Sequence, residues 1–474
     1  MIKLKITGAL LGFMLSGMAG CALISPTDPY EISDMEKVGA TYRPAFHQAV
    51  VIPDKPILLD AAIEIALQNN PDLAQSKYAS DAAAARHSQA IGRALPRISA
   101  VGGYTKYIDD QRLIPPRYNG ESGVFGDNIY SADIVLSQPI FTGGRLINEI
   151  DASKLIQQSA LHQSFRTRNE LIFNVSGIFY SILAQKEVIK SLAFSKDAMN
   201  EHLNRINALI ARKKAAKVDR LRTEVRIADI DQSLTHAKNV LSIEKRRLAN
   251  LMGAPDIMES FDVCGTLERE SFAGVDLEDS LETAFQFRED YLAARAELEA
   301  HAKFVDVARA GHWPSISLQG AYGMRWTPDS PPDPSDDFSG TDSAEDLGRV
   351  GIFVELPIFE GGQVAARVRE QRAALSASRE KLRSLAFRLR LDVETAGLNI
   401  ESASKRIDTT QKSIEQAQEA LRIERKKYDH GKGALIDVLD AQNALLASQT
   451  NYHQAKAEYN TAVAQLRLAT GEMK

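Results

Sequence analysis

Two aspartates three residues apart, Asp437 and Asp440, stand in the stretch Tyr428-Asp429-His430-Gly431-Lys432-Gly433-Ala434-Leu435-Ile436-Asp437-Val438-Leu439-Asp440-Ala441-Gln442. Gly431 and Gly433 interrupt a helical pattern here, so both carboxylates fall on one face of the helix that follows. Carboxylates crowded together attract cations. Taken alone, Asp437 is equally placed to cap that helix near its positive N-terminal end, and both readings stay open. No catalytic constellation competes with this pair. The nine histidines are scattered without metal-ligand spacing, and His430 and His312 read as surface or joint residues. Gly143-Gly144 is no phosphate loop, because the Lys-Ser/Thr that would touch phosphate is missing. Neither an enzyme nor a cofactor or metal site is implied.

The elements that must position the aspartates come in duplicate. Pro139-Ile140-Phe141-Thr142-Gly143-Gly144 and Pro357-Ile358-Phe359-Glu360-Gly361-Gly362 are separated by an offset of 218 residues. The same offset lays Leu95-Pro96 on Trp313-Pro314, Tyr104 on Tyr322, Asp219 on Asp437, Leu221 on Leu439 and Gly253 on Gly471, with no gap. A match held over half a chain is duplication. The domain reading is therefore repeat one at 57–256, a linker at 257–274 and repeat two at 275–474. Ahead of them come a signal peptide at 1–20 and an N-terminal segment at 21–56.

The leader carries Lys3 and Lys5, an apolar run from Ile6 to Met18, then Ala19-Gly20-Cys21. This is a secretory pattern. Cys21 after two small residues resembles a bacterial lipobox, which implies lipidation of that thiol; an ordinary signal peptide with an incidental cysteine is the alternative. Cys264 is the one other cysteine, so no internal disulfide is expected. The formal charge of −5 becomes −7 without the leader, which disfavours nucleic acid as a partner. Beyond the leader no apolar run approaches the roughly 18–20 residues of a membrane helix. Any span must be β.

Within each repeat the periodicity changes in a fixed order. Val393, Ala396, Ile400, Ala403, Ile407, Thr410, Ile414, Ala417 and Leu421 alternate steps of three and four, the seam of a long coiled-coil helix. Ile172, Val175, Phe179, Ile182 and Ile189 repeat it in copy one. A shorter helix follows each. Between the prolines the period drops to two, predicting strands at 97–109, 128–140, 315–327 and 347–358. Strands of about ten residues, apolar on one face and polar on the other, fit a lipid-facing barrel with a wet interior. A soluble sheet packed on helices is the competing reading. Pro96, Pro139, Pro314 and Pro357 stand where helix and strand meet, since proline cannot continue a helix ladder. Gly143-Gly144 and Gly361-Gly362 then allow a tight bend, making each motif a hinge.

With these residues in view the chain resembles the TolC-like outer-membrane efflux protein family. That resemblance implies an α+β membrane protein: a homotrimer in which protomers give four strands each to one 12-stranded β-barrel continuous with a long periplasmic α-helical barrel. Independently, four strands cannot close a barrel, so oligomerisation is required. The resemblance further implies an outer-membrane location in a Gram-negative bacterium, lipid-anchored and extending into the periplasm. It implies an exit duct of a tripartite system, with a periplasmic adaptor protein and an inner-membrane pump as partners. An outer component of type I protein secretion and a pore-less coiled-coil scaffold are the alternatives. By the same resemblance Asp437 and Asp440 ring the inner aperture, Tyr428 and Asp219 take part in links that close it, and Gly431, Lys432, Gly433 and Ala434 form the adaptor-contacting tip. An Arg that some members carry at the place of Gly433 is absent, and Lys432 and Arg222 are candidate substitutes.

Overall fold

Two helices of equal length, 67 residues each, dominate the computed structural model. It describes residues 56–114, 124–213, 216–255, 261–269, 276–327 and 343–473. Cys21, the leader and nearly all of the segment 21–56 lie outside these residues, as do the hairpin tips and much of the linker. In chain order the elements are α1 (Leu59–Asn69), α2 (Pro71–Gly92), β1 (Arg97–Ile114), β2 (Val124–Phe141), α3 (Arg145–Ala211) and α4 (Lys217–Leu251). The second set is α5 (Leu277–Phe287), α6 (Glu289–Arg309), β3 (Ser315–Thr327), β4 (Ser343–Glu355), α7 (Gln363–Asp429) and α8 (Leu435–Thr470). A single turn of 3-10 helix, Ala310–His312, leads into β3. At about 1.5 Å per residue, α3 and α7 each run roughly 100 Å.

The duplication extends to local geometry. At the end of α4, Gly253 takes φ 69° and a Cβ there would stand 2.3 Å from the carbonyl oxygen of Asn69. At the end of α8, Gly471 takes φ 83° and a Cβ would stand 2.5 Å from the carbonyl oxygen of Phe287, the residue 218 positions after Asn69. Each repeat thus closes on its own first helical joint through a glycine that no other residue can replace without displacing backbone. The joints themselves differ. Asn70 caps α2 by accepting from the amides of Asp72 and Leu73, and donates to the carbonyl of Leu251. Its counterpart Arg288 is buried and bonded to Asp290 and Asp392.

Seam residues form the core. Leu389, Val393, Ala396, Ile400, Ala403 and Ile407 of α7 pack with Ala455, Tyr459, Ala462, Val463 and Leu466 of α8. In copy one, Val175, Phe179 and Ile182 of α3 pack with Leu248 and Met252, beneath Ala62 and Ala66 of α1. Alanine at so many of these positions lets the helices run close together. Side by side the long elements form a layer in the order α4, α3, α8, α7, leaving α4 and α7 at its edges.

The four strands make one antiparallel sheet in the order β1-β2-β3-β4. β1 and β2 run into the hairpin further than alternation predicts, to Ile114 and from Val124, while β4 spans Ser343–Glu355 rather than 347–358. Irregular pairing explains the difference in β1, because a shift between Lys106 and Gln111 breaks the period while pairing continues. In β4, Pro357 removes a ladder donor and the strand stops short of it.

Candidate functional site at the helical tip and the strand joints

At the far end of the long helices, α7 stops because Gly431 turns left-handed, with φ 70°. The amide of Lys432 then bonds back to the carbonyl of Lys427 at 2.8 Å. Gly433 passes so near that a Cβ would lie 2.9 Å from the Cβ of Lys427, which excludes an arginine side chain at that place without rearrangement of the turn. Lys432 and Ala434 are exposed. In copy one Lys213 takes the same left-handed conformation, φ 56°, at the position matching Gly431.

Asp437 is the third residue of α8, and its Oδ2 accepts from the amide of Ala434 at 3.4 Å. Asp219 does the same for Ala216 at the start of α4, also at 3.4 Å. Both aspartates therefore face back on a helix N-terminus, where a carboxylate offsets the unpaired amides and the helix dipole. The cap leaves Asp437 exposed, as is Asp440, so capping and lining are compatible uses of one side chain. Tyr428 is half-buried and makes no hydrogen bond to Asp219 among the described residues. Burial, and then the charges of Asp219 and Asp429, hold its phenol above the usual range.

The bonds that join the two repeats here rest on residues of α3 that the sequence does not single out. Arg205 of α3 donates to both carboxylate oxygens of Asp429, at 3.2 and 3.3 Å. Arg425 donates to Gln442 Oε1 at 3.0 Å, and Gln442 Nε2 donates to Ser195 Oγ of α3 at 3.3 Å. His202 of α3 stacks at a tilt on Tyr428, ring centres 5.4 Å apart. Lys432 and Arg222 form no ion pair among the described residues. Gln442 ends the conspicuous motif and was open to notice; Arg205 and His202 carry no signal, since their partners lie more than two hundred residues away.

At the opposite end Gly143, Gly144, Gly361 and Gly362 all take positive φ, at 63°, 83°, 59° and 81°. Gly144 and Gly362 occupy the N-cap positions of α3 and α7. Pro96 and Pro314 directly precede β1 and β3. Pro139 instead lies inside β2, opposite Ser317, with a register shift before Phe141; Pro357 lies beyond β4.

The sheet's two faces differ as a membrane wall requires. Ile98, Ile134, Tyr322, Val350 and Ile352 share one face and are all exposed. Tyr104, Tyr130 and Trp326 lie opposite one another on that face, ring centres 4.8 and 4.6 Å apart. Beyond this aromatic row the face turns polar at Lys106 and Asn128. From Ile316 to Trp326 the strand rises about 33 Å, or roughly 25 Å along the membrane normal at a barrel-like tilt of about 40°, the height of an outer-membrane apolar band. The other face holds Asp133 and Arg325, paired at 2.7 Å.

The family model described as outer membrane efflux protein matches residues 62–254 and 281–472, one match for each repeat. The chain belongs to the outer membrane efflux protein family. It is 23% identical over 414 residues to the outer membrane protein TolC of Vibrio cholerae, covering 86% of this chain and 89% of that one. It is 25% identical over 426 residues to the alkaline protease secretion protein AprF of Pseudomonas aeruginosa, covering 87% and 84%. The crystal structure of the outer membrane protein VceC from Vibrio cholerae matches with a TM-score of 0.72 at 18% identity, over 87% of this chain and 96% of that one. Family membership identifies this protein as an outer-membrane efflux channel with a barrel continuous with a helical tunnel that extends into the periplasm. The soluble-sheet reading falls with it. Among the described residues no helix is long and apolar enough to cross a membrane, and no cluster of metal-ligating side chains is present. The family and fold are those of channels rather than enzymes.

Proposed function

We propose that three copies of this chain close into one conduit that passively carries substrates out across the outer membrane, fed by a periplasmic adaptor and an inner-membrane pump. The observation that carries a closed oligomer is that the chain ends in free edges at both levels, β1 and β4 in the sheet and α4 and α7 in the helical layer. The number three comes from the 12-stranded barrel that the family resemblance implies. An open sheet edge cannot face lipid, because its backbone groups would be unpaired. Pseudo-symmetry supplies the partner. Since α3 of copy one packs on α8 of copy two within the chain, α7 of copy two packs on α4 of copy one in the partner subunit. Exposed Phe387, Leu391 and Leu398 on α7 and exposed Leu221 on α4 supply apolar surface for that seam.

In this reading Asp437 and Asp440 line the periplasmic aperture, the Gly431–Ala434 turn meets the adaptor, and the Pro and Gly joints let barrel become tunnel. Cys21, outside the described residues, tethers the mature chain to outer-membrane lipid. The likeness to AprF favours protein secretion as a second reading, with the same duct serving a protein-exporting pump. Planar-bilayer conductance of purified trimers tests the duct: ion-tight membranes at saturating protein overturn it. Drug-susceptibility and secreted-protein profiles of a deletion strain then separate small-molecule export from protein secretion. Mass spectrometry of the mature N-terminus tests the anchor, and a free unmodified amine removes it.

A further inference from the structure

We infer that the tip contact between α3 and the α7–α8 turn is a proton-responsive clasp, with His202 as the titrating group, and that it loosens as periplasmic pH falls. The inference rests on the channel reading above. His202 is buried in the α3 seam between Met199 and Ile206, at the level where α3 meets Tyr428 and α8 residues Leu435 and Leu439. Its Nε2 is buried and has no hydrogen-bond partner among the described residues. A neutral imidazole can leave that nitrogen as an unprotonated acceptor at modest cost. An imidazolium cannot, because both ring nitrogens become donors and the charge must be solvated.

The surroundings oppose a positive charge. On α3 itself Arg205 lies one turn away; α7 contributes Arg425, Tyr428 and Asp429; Asp219 comes from α4. Glu201, beside His202 on α3, acts on Arg425. The acids that would compensate are already engaged, Asp429 with Arg205 and Asp219 with the amide of Ala216. Burial first, then Arg205 and Arg425, hold the His202 pKa below its ordinary 6.5, against the pull of Asp429 and Asp219. A clasp in which His202 is held below its ordinary value is favoured while the imidazole is neutral. Separation of α3 from α7 returns the ring to water and to its ordinary pKa, so opening takes up a proton. The clasp is at full strength above 6.5 and weakens as pH falls below it. Three subunits acting together would steepen the response.

Two readouts on the intact trimer test this. Hydrogen exchange of the 425–435 turn reports the clasp in detergent, and single-channel open probability reports it in a bilayer, each between about pH 7.5 and about pH 5.5, across the imidazole range. Expected for wild type at the lower pH are a smaller protection factor, that is exchange faster relative to the intrinsic base-catalysed rate at that pH, and a higher open probability. His202→Gln, which keeps a polar side chain but cannot titrate, is expected to lose at least about two-thirds of that change; below the ordinary pKa each titrating group can shift an equilibrium by up to about tenfold per pH unit. Should His202→Gln fail to assemble, Arg205→Gln substitutes: losing one guanidinium and freeing Asp429 raises the His202 pKa, and the pH response shrinks. A pH response of unchanged size in the variant used, or none in wild type, overturns the clasp. Absent conductance at every pH would refute the duct instead, while exchange still judges His202.

Discussion

A Cβ placed on Gly143 would lie 2.6 Å from the Cβ of Trp313 and 2.9 Å from the carbonyl oxygen of Ala310. The first repeat's hinge is therefore closed by the second repeat. At the equivalent Gly361 nothing lies within 4 Å. Pseudo-symmetry explains the empty side: its counterparts of Ala310 and Trp313 are Gly92 and Leu95, and on the proposed trimer these are Gly92 and Leu95 of the partner subunit. Gly143→Val is expected to damage the folding of each chain, by clash and by left-handed strain of about 1–3 kcal/mol. Gly361→Val should leave helical content near normal by circular dichroism and reduce the trimer band on a non-boiled gel. Equal trimer yields for wild type and Gly361→Val would remove the second hinge from the interface.

Asp437 caps α8, and in the proposed channel it also lines the aperture; two measurements divide these roles. Asp437→Ala should cost about 1 kcal/mol through the lost cap, read as a lower melting temperature. Asp440 makes no such bond among the described residues, so Asp440→Ala should leave stability almost unchanged. Divalent or trivalent metal ions added on the tip side are expected to block conductance, because crowded carboxylates in a throat attract multivalent cations. The double variant should relieve that block. Identical block in both proteins would take the two aspartates out of the aperture.

What could be read from the sequence is what repeats locally. The strand faces, the seam from Val393 to Leu421 and the glycine pairs all follow from spacing along one element, and pairing or packing reinforces each. Strand starts are legible where Pro96 and Pro314 mark them, whereas β2 runs through Pro139 and β4 stops short of Pro357; the bulge that carries β1 past Lys106 obeys no period. At the tip, the Asp437 cap was legible because donor and acceptor are three residues apart. The Arg205–Asp429 pair and the stacking of His202 on Tyr428 were not, for they depend on the crossing of α3 and α7, which no offset encodes. The counterparts of His202 and Arg205 in copy two are Ala420 and Ile423, which carry neither ring nor charge.

Within the sheet, Asp133 and Arg325 share a face and pair at 2.7 Å, both with side chains less than one-quarter exposed. Gly323 makes room for the pair, since a Cβ there would come within 2.4 Å of the Asp133 carboxylate. Removing one partner strands the other charge in a partly desolvated place. Arg325→Ala is expected to lower barrel stability by about 2–3 kcal/mol, between the values for exposed and buried pairs. Adding Asp133→Ala should recover part of the loss in a double-mutant cycle followed by heat-modifiability of the trimer. Strict additivity would mean that the pair contributes nothing.

Where the chain passes between repeats, Asp262 is held by Lys186 at 2.7 Å and Lys245 at 2.9 Å, one from α3 and one from α4. Ile57 donates to the Asp262 carbonyl and pairs in parallel with Val263, so this segment binds the start of copy one to its long helices. Burial alone would raise the carboxyl; hydrogen bonds from Lys186 and Lys245 and from the amide of Val263 outweigh it and hold the pKa at about 2, against an ordinary 3.8. A folded-state pKa below the unfolded one adds stability that is fully present above 3.8 and disappears as pH falls through about 2. Because the side chain is about half exposed, water and salt trim the effect. Asp262→Asn should therefore be less stable than wild type at neutral pH, with the difference narrowing across that acid window and also in about 1 M salt, where screening is nearly complete. Acid titrations of both proteins followed by circular dichroism check this, and parallel curves from pH 5 to pH 2 would show that the two lysines do not clamp the linker through charge.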